Sequence, residues 1–483
     1  MMHSVKTKRL RYFVCFLFLG TFCIAGVGIY NVNKPLPAGV SFAGPIRPVN
    51  DIAFYRDLTW VDEAGRRRSQ QEIFDKVLTM INGARYFIVL DMFLFNDFIG
   101  KEQAPYRRLA QEISDALVAR KAKYPEMQII VITDPINTVY NGMKNSYFAR
   151  MEAENIQVVF TKLERLRDSN PAYSAFWRIF VQPFGNSTGR LLPNPFGKGR
   201  VTLRSYLAMF NFKANHRKLI ICDTTDGVSA LITSANPHDG SSAHGNVAIF
   251  FKGPAVLDLL QSERAVLDFS GGPTLPLYPA GNLQNTDSRT TVQIITEKRI
   301  KDVLIAALNQ AGAGDNLAMI TFYLSDRDII GALKMAHIRG ASVRVLLDPN
   351  KDAFGREKNG IPNRQVAHEL VKVGIPVRWC NTHGEQSHTK MLLAEDKKGA
   401  GMVMLGSANF TRRNLENLNL ETDIVVRGPT TLPLFLDVRK YVDLLWTNSD
   451  GREFSVDYSE YEDNSFVRRL QYRWMEATGM STF

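Results

Sequence analysis

The sequence predicts an α/β protein built from two similar halves, and three observations carry that expectation. H-x-K followed after four residues by a carboxylate occurs twice, at His216, Lys218 and Asp223 and at His388, Lys390 and Glu395. Each copy is followed by the same triplet, Ser234-Ala235-Asn236 and Ser407-Ala408-Asn409, with His-to-Ser gaps of 18 and 19 residues. A lone H-x-K arises by chance, whereas two copies on apolar runs (Leu219-Ile220-Ile221 and Met391-Leu392-Leu393) with the same sequel read as an internal repeat. Third, strand-like and helix-like stretches alternate on both sides of a Gly-, Pro- and Asn-rich stretch from Gly271 to Ser288, which fits a sheet covered on both faces.

With 483 residues and 45% apolar content the chain can bury a large core and divide into domains. Of its net charge of +11, six charges (Lys6, Lys8, Arg9, Arg11, Lys34, Arg47) lie in the first fifty residues, which hold no acid. The remaining body is mildly basic, suited to phosphate-bearing substrates but too weakly charged to indicate a nucleic-acid binder. Four cysteines, two of them in the apolar leader, exclude a disulfide framework, and Cys222 and Cys380 read as buried thiols. No C-x-x-C or H-E-x-x-H spacing is present, so neither a metal nor another cofactor is expected.

The elements follow in order. Tyr12 to Tyr30 carries no charge and is long enough to span a bilayer, with four basic residues just before it. That bias predicts an uncleaved anchor over residues 1–31, with the N-terminus in the cytoplasm and the remainder outside, on the periplasmic side of the inner membrane in a bacterium. A cleaved signal peptide is the competing reading, but the apolar stretch exceeds a usual h-region and no A-x-A follows it. The first half, residues 32–285, opens with a helix around Ile73, Val77, Leu78 and Ile81 and a buried strand at Tyr86 to Leu90. An amphipathic helix over Tyr106 to Arg120 and strands at Met127 to Asp134 and Ile156 to Phe160 come next. The second half, residues 286–483, repeats the order: helix 300–308, strand 317–324, helix 328–337, strand 343–348, helix 364–373 and strand 376–379. Its Leu346-Leu347-Asp348-Pro349 matches Ile132-Thr133-Asp134-Pro135 of the first.

The first copy is longer between its Asp134 and His216, 82 residues against 40 from Asp348 to His388. The extra stretch, 161–200, carries Tyr173, Phe176, Trp177, Phe180, Phe184 and Phe196 among seven Lys/Arg and two acids. It reads either as a covered loop with a small core of its own or as a flap whose aromatics enter lipid while its basic residues meet headgroups.

On a strand, residues two apart share a face, so His216 with Lys218, and His388 with Lys390, are expected to project together. Asp223 and Glu395 then fall on the opposite face, in a supporting place, and Ser234, Asn236, Ser407 and Asn409 are candidate phosphate-binding donors. Two facing copies suit in-line displacement at phosphorus: one neutral imidazole attacks, the lysines offset charge on the equatorial oxygens, and the other imidazole, protonated, protonates the leaving alkoxide. Two core histidines satisfied by backbone groups would explain neither the lysines nor the duplicated S-A-N.

These residues resemble the phospholipase D superfamily, whose signature is H-x-K-x-x-x-x-D with G-S-x-N in each of two halves, over the chain from about Asp51 onward. The resemblance implies two pseudo-twofold-related α/β/α halves sharing one active site, a phosphohistidine intermediate and no metal. It also implies a choice of acceptor: water gives hydrolysis, and a lipid or alcohol hydroxyl gives phosphatidyl transfer, as in bacterial cardiolipin synthases. Glu395 departs from the usual Asp and Thr233 from the usual Gly. Asn419-Leu420-Glu421 resembles the family's N-x-E, whose carboxylate accepts from a catalytic histidine, while the first-half stretch Asn246-Val247-Ala248 keeps the Asn and lacks the acid. In resembling two-copy enzymes this backing crosses between halves, which makes Glu421 the partner of His216, His216 the nucleophile and His388 the general acid. The expected function is that of a membrane-anchored phospholipid phosphodiesterase or phosphatidyltransferase. The alternative is a nuclease of the same superfamily, and a non-catalytic scaffold fits poorly with two intact motifs. Nucleic acid is thus the less expected partner, phospholipid the expected one.

Overall fold

Hydrophobic periodicity sets the elements. The computed structural model describes all residues except 1, 101–105, 226, 276–287, 354–355 and 482. Helix α1 (Met2–Asn33) contains an apolar stretch, Val14–Asn33, of mean hydropathy 1.9, long and apolar enough to cross a membrane. After the short β1 (Arg47–Pro48) come the hairpin β2 (Ile52–Val61) and β3 (Arg67–Gln70), then α2 (Ile73–Gly83), whose Ile73, Val77, Met80 and Ile81 repeat every three or four residues and are all buried. Strand β4 (Phe87–Met92), buried throughout, is followed by α3 (Leu109–Lys123), β5 (Gln128–Thr133), α4 (Ser146–Ala153) and β6 (Gln157–Phe160). A long excursion then holds α5 (Pro171–Phe180), the small ribbon β7 (Leu192–Pro193) with β8 (Arg200–Val201), and α6 (Leu203–Met209). Strands β9 (Lys218–Thr224), β10 (Gly227–Thr233) and β11 (Asn246–Lys252) and helix α7 (Ala255–Ser270) complete this region.

Beyond it run β12 (Thr291–Thr296), α8 (Lys298–Gln310), β13 (Asn316–Thr321), α9 (Arg327–Ile338) and β14 (Ser342–Leu347). The ribbon β15 (Asp352–Ala353) with β16 (Arg356–Glu357), α10 (Asn363–Val371) and β17 (Val377–Cys380) come next. The chain closes with β18 (Lys390–Glu395), β19 (Ala400–Gly406), α11 (Arg412–Leu415), β20 (Thr422–Pro429), α12 (Pro433–Thr447), β21 (Ser455–Asp457) and α13 (Phe466–Thr478). The expected boundary at 285/286 lies outside the described residues.

Two mixed sheets result, in the orders β3-β2-β11-β10-β9-β4-β5-β6 and β1-β12-β20-β19-β18-β13-β14-β17-β21. Read from β2 and from β12, the orders agree strand for strand, with β4, β5, β6 and β13, β14, β17 parallel and the remaining pairs antiparallel. One apolar cluster joins the inner faces of both sheets, with Ile221, Ile232 and Ile249 on one side, Ile320, Leu393 and Leu405 on the other, and α7 and α12 in the same cluster. Helices α2, α3 and α4 cover the outer face of the first sheet, and α8, α9 and α10 that of the second.

Several expected boundaries shift for local reasons. The helix expected from Tyr106 begins at Leu109, because Arg107 is held outside it: its backbone N–H donates to Ser242 and its guanidinium pairs with Asp75 and Glu112. The strand expected through Leu324 ends at Thr321, where Phe322 N turns to donate to Thr389 O and Leu324 N to Asn363 Oδ1. In the excursion, both readings of the aromatics find a share. Trp177 is buried under the Arg204 guanidinium, Tyr173 donates its hydroxyl to Leu207 O, and Phe196 stacks on Phe98. Phe176, Phe180 and Phe184 are exposed, at 44, 51 and 67%. The excursion is docked on α1: Gly28 faces Pro171 and Ala175, Asp168 N donates to Asn31 O at 3.1 Å, and Lys34 Nζ reaches Glu164 O at 2.7 Å.

The middle residues of the two H-x-K triplets differ in what they fasten. Arg217 is fully buried and bonds Glu263 of α7 at 2.7 Å and Glu297 at 2.8 Å, whereas Thr389 shares one hydrogen bond with the Tyr441 hydroxyl. Arg217→Met leaves two buried carboxylates without their cation and should lower stability by about 3–5 kcal/mol. Thr389→Val should cost about 1 kcal/mol. Denaturant midpoints of the detergent-solubilised chain test both, and equal losses would mean that the Arg217 network carries no special weight.

Candidate active site

The two histidines stand just ahead of their strands, because β9 and β18 begin at the lysines. Each is held by a short parallel bridge to the opposite sheet's half of the molecule. His216 N donates to Leu420 O at 2.9 Å, and His388 N donates to Gly245 O at 2.8 Å. The residue before each histidine is fixed by a buried aspartate: Asp134 accepts from Asn215 N and Asp348 from Ser387 N, both at 2.8 Å. Two residues before, Asn419 accepts from Ala214 N and His244 from Gln386 N. The imidazoles therefore face each other with ring centroids 6.5 Å apart, at the floor of a cavity of about 540 Å³.

Lys218 and Lys390 do not project beside the histidines as strand alternation predicts. Each is fully buried, folds back beneath its histidine and donates to that residue's carbonyl oxygen at 2.6 Å. Phe93 and Phe322 line the same floor, each lying about 5 Å from its lysine (5.1 and 5.3 Å) and packed on its histidine (4.8 and 5.1 Å). Asn236 and Asn409 line the cavity. Ser234 and Ser407 do not, which corrects the expectation of phosphate donors: both are fully buried, and their hydroxyls donate to Asn246 Oδ1 and Glu421 Oε2. Asp223 lies at the far end of β9 and accepts three backbone N–H groups from Arg85 to Phe87, while Glu395 pairs with Arg439.

Those serine bonds also correct the alignment of the copies. Ser234 N donates to Val247 O and Ser407 N to Thr422 O, so Asn246 occupies the place of Glu421, and His244 that of Asn419. Glu421 Oε2 lies 3.0 Å from His216 Nδ1, and Asn246 Oδ1 lies 3.3 Å from His388 Nδ1, which also meets Ser234 O at 2.9 Å. One imidazole is backed by a carboxylate, the other by a carbonyl and an amide. The departure at Thr233 is compensated in the same way. Thr233 Oγ1 accepts from Ala235 N, the task Asp423 performs for Ala408 N beside Gly406.

Burial governs the electrostatics. It lowers His216 to about 4 against the pull of Glu421, so the ring is neutral at pH 7 and its Nδ1–H donates to a carboxylate. Burial opposes ionisation of Glu421, but His216, Lys218 and Ser407 outweigh it and hold that carboxyl below its usual range. His388 is pushed well below 6.5 by burial and then by Lys390 and Lys218. Burial brings Lys218 to about 7 and drives Lys390 well down, with Lys218 adding to it. Asp134 and Asp348 are raised by burial to about 7. Burial thus disfavours the charged forms of these four basic groups, and an anion placed between the imidazoles would restore charge to the lysines and to His388. Among the described residues the acids close enough to share a cation are Asp326, Asp328 and Glu416, and the Lys301 ammonium bonds all three.

The class that fold and site define is an α/β protein with a cavity floored by two H-x-K triplets. Residues 304–446 match the family model described as cardiolipin synthase, phospholipase D-like domain. The chain is 25% identical over 229 residues to a cardiolipin synthase of Geobacillus sp. (strain WCH70), covering 44% of this chain and 42% of that protein. It is 22% identical over 270 residues to a cardiolipin synthase of Alkalihalophilus pseudofirmus, covering 53 and 50%. The chain thus spans about half the length of the curated relatives it matches. In fold it is similar to a phosphatidylserine synthase of Haemophilus influenzae Rd KW20, with a TM-score of 0.57 and 12% identity over 94% of this chain and 97% of that one. Residues 304–446 thus carry the likeness to the phospholipase D-like domain of cardiolipin synthases, and the curated relatives agree with that resemblance.

The anchoring aspartates were visible in the sequence as matching strand ends, but their task was not. Asp348→Ala leaves the Ser387 N–H buried without an acceptor and should cost about 1–3 kcal/mol in denaturant unfolding. Activity should fall further than that loss explains, because His388 is displaced; an active variant with reduced stability would show that the aspartate only fills space.

Proposed function

We propose that the chain is a membrane-anchored phospholipid phosphodiesterase or phosphatidyltransferase of the phospholipase D type, working through a phosphohistidine. The observation that carries the reading is the pair of imidazoles 6.5 Å apart with a carboxylate behind His216 alone. The matching strand orders support a duplicated unit, with pseudo-twofold-related halves over 32–285 and 286–483 sharing this one site. Helix α1 serves as the anchor, and the region beyond it lies outside the cytoplasm, following the basic residues ahead of Tyr12.

In the first step His216 Nε2 attacks phosphorus, the bond to the leaving oxygen breaks, and His388 gives that oxygen its proton. Glu421 holds the His216 tautomer and stabilises the positive ring that forms. Asn236 and Asn409, which line the cavity, donate to the phosphoryl oxygens, and Lys218 and Lys390 beneath the histidines supply positive charge under them. In the second step an acceptor hydroxyl gives its proton to His388 and its oxygen displaces His216 from phosphorus. Water as acceptor yields hydrolysis, and a lipid or alcohol hydroxyl yields phosphatidyl transfer. The cardiolipin synthases among the relatives and the phosphatidylserine synthase of similar fold favour transfer.

The deciding experiment offers the purified chain phosphatidylglycerol, phosphatidylcholine and single-stranded DNA side by side and identifies the products; cleavage of the DNA alone would replace this reading with that of a nuclease. With a substrate whose leaving group needs no acid, His388→Asn should accumulate a phosphoenzyme and His216→Asn should not, and the reverse pattern would exchange the two roles.

The pH profile of kcat/KM follows from the shifts. The nucleophile must be neutral, so the rate rises as pH passes upward through about 4, where His216 loses its proton. His388 must be protonated as the acid, and burial with Lys390 and Lys218 holds it well below 6.5, so the alkaline limb begins below 6.5 and steepens as Lys218 loses its charge at about 7. Glu421→Gln removes the attraction that raises His216, which moves the acid limb lower still and should cost about 10⁴-fold in kcat. An acid limb that moves upward in that variant would contradict the assignment. Binding of a phosphonate analogue at pH 7 should take up about one proton, seen by calorimetry in buffers of different ionisation enthalpy, and less in His388→Asn.

A further inference from the structure

Helix α13 has a face that the fold does not use. Tyr472 and Glu476 are buried, tied to Glu369 and to Arg412 N. Opposite them Phe466, Leu470 and Trp474 recur every four residues with Val467 beside them, and these four are 61, 54, 54 and 72% exposed. Arg468, Arg469 and Arg473 flank this stripe, and the helix's one acid, Glu476, is on the buried side. Arg469 lies over the Phe466 ring, while Arg468 and Arg473 remain partly exposed beside Asp463 and Glu369. A short helix with large exposed apolar side chains on one face and arginines along its edges has the composition of a helix lying in the headgroup layer of an anionic bilayer.

The position of the helix points the same way. Gly479, its C-terminal cap, is pressed so closely on Ser169 that a Cβ there would lie 1.7 Å from the Ser169 carbonyl oxygen. Ser169 follows Asp168, whose N–H is bonded to Asn31 near the end of α1, and leads into α5 with its exposed Phe176 and Phe180. The C-terminal end of α13 therefore sits where the apolar span ends, and the exposed Met480 follows Gly479 directly.

Resting on the membrane-anchored reading above, we propose that α13 is a second membrane-contacting element, which lays Phe466, Val467, Leu470 and Trp474 into the interface of a bilayer rich in anionic phospholipid. Its arginines meet headgroup phosphates, and together with α1 it fixes how the body of the protein leans on the membrane.

The test uses the full chain with Cys15→Ser and Cys23→Ser, reconstituted in vesicles of phosphatidylglycerol and phosphatidylcholine, carrying one fluorescent label at Leu470→Cys or at Phe22→Cys in α1. The label at 470 should be quenched by lipids bearing a shallow doxyl group and shielded from aqueous iodide, more so as phosphatidylglycerol increases. Quenching at 470 by iodide and not by doxyl lipid, with doxyl quenching intact at 22, would overturn the proposal and leave the anchor standing. Shielding at 470 from both quenchers, with cross-linking to a second chain, would overturn it in favour of a self-association face. Absence of doxyl quenching at 22 as well as 470 would remove the anchor and this proposal together. As a second readout, Phe466→Ser, Leu470→Ser and Trp474→Ser combined should lower kcat/KM on vesicles by at least about tenfold. The rate on a soluble short-chain phospholipid should not change. An equal loss on both substrates would assign the stripe to the fold and not to the membrane.

Discussion

Two backbone hydrogen bonds hold the site, one from each histidine to the opposite half. His216 N to Leu420 O and His388 N to Gly245 O lock the two segments across the joint between the sheets, and the apolar cluster that spans both sheets keeps that joint closed. Because each donor belongs to the residue whose ring faces the cavity, a small relative movement of the halves would change the separation of the imidazoles directly. The buried aspartates, the Asn419 and His244 acceptors and the Arg217 network all fix the same two segments. Such over-determination is what a site needs whose reacting groups must be held within a fraction of an ångström.

The pocket's chemistry depends on its dryness. Four buried basic groups, two lysines and two imidazoles, crowd a space with the Glu421 carboxylate directly behind His216. Burial drives all four toward neutrality. On the function proposed above, a phosphodiester supplies the counter-charge, and its arrival changes the protonation of the groups around it. Selection of an anionic reacting centre is thus built into the desolvation of the floor and needs no elaborate set of surface charges.

Much of this was legible in the sequence, because a repeat carries its own control. The paired H-x-K and S-A-N marked the strands and the cavity, and the mixed α/β layering followed from alternating periodicity. What was not legible is where a side chain turns once its backbone leaves a strand. Alternation assumed that β9 and β18 include the histidines; the bridges to the other half make the strands start two residues later, at the lysines, which turn underneath. Ser234 and Ser407 carry hydroxyls that could have met phosphate, but their own backbone register aims them at Asn246 and Glu421. The equivalence of Asn246 with Asn419 was a match of letters, and the register of β10 with β11 and of β19 with β20 moves it by two residues. Trp177 could not be separated from its exposed neighbours by composition, since Arg204, which covers it, comes from α6.

The corners beside the two S-A-N triplets are built differently and are not interchangeable. On one side Thr233 stands across from Ala248, and on the other Gly406 stands across from Asp423. The acceptor for the alanine N–H has changed strands between the two. At Gly406 any β-carbon would lie 2.3 Å from the Asp423 carboxylate and 2.4 Å from the Thr422 carbonyl oxygen, so a threonine there is shut out by backbone as well as by side chain. Replacing the aspartate first would strip Ala408 N of its acceptor. No single substitution therefore turns one corner into the other: a threonine at 406 is overcrowded, and loss of Asp423 leaves Ala408 N short of a hydrogen bond.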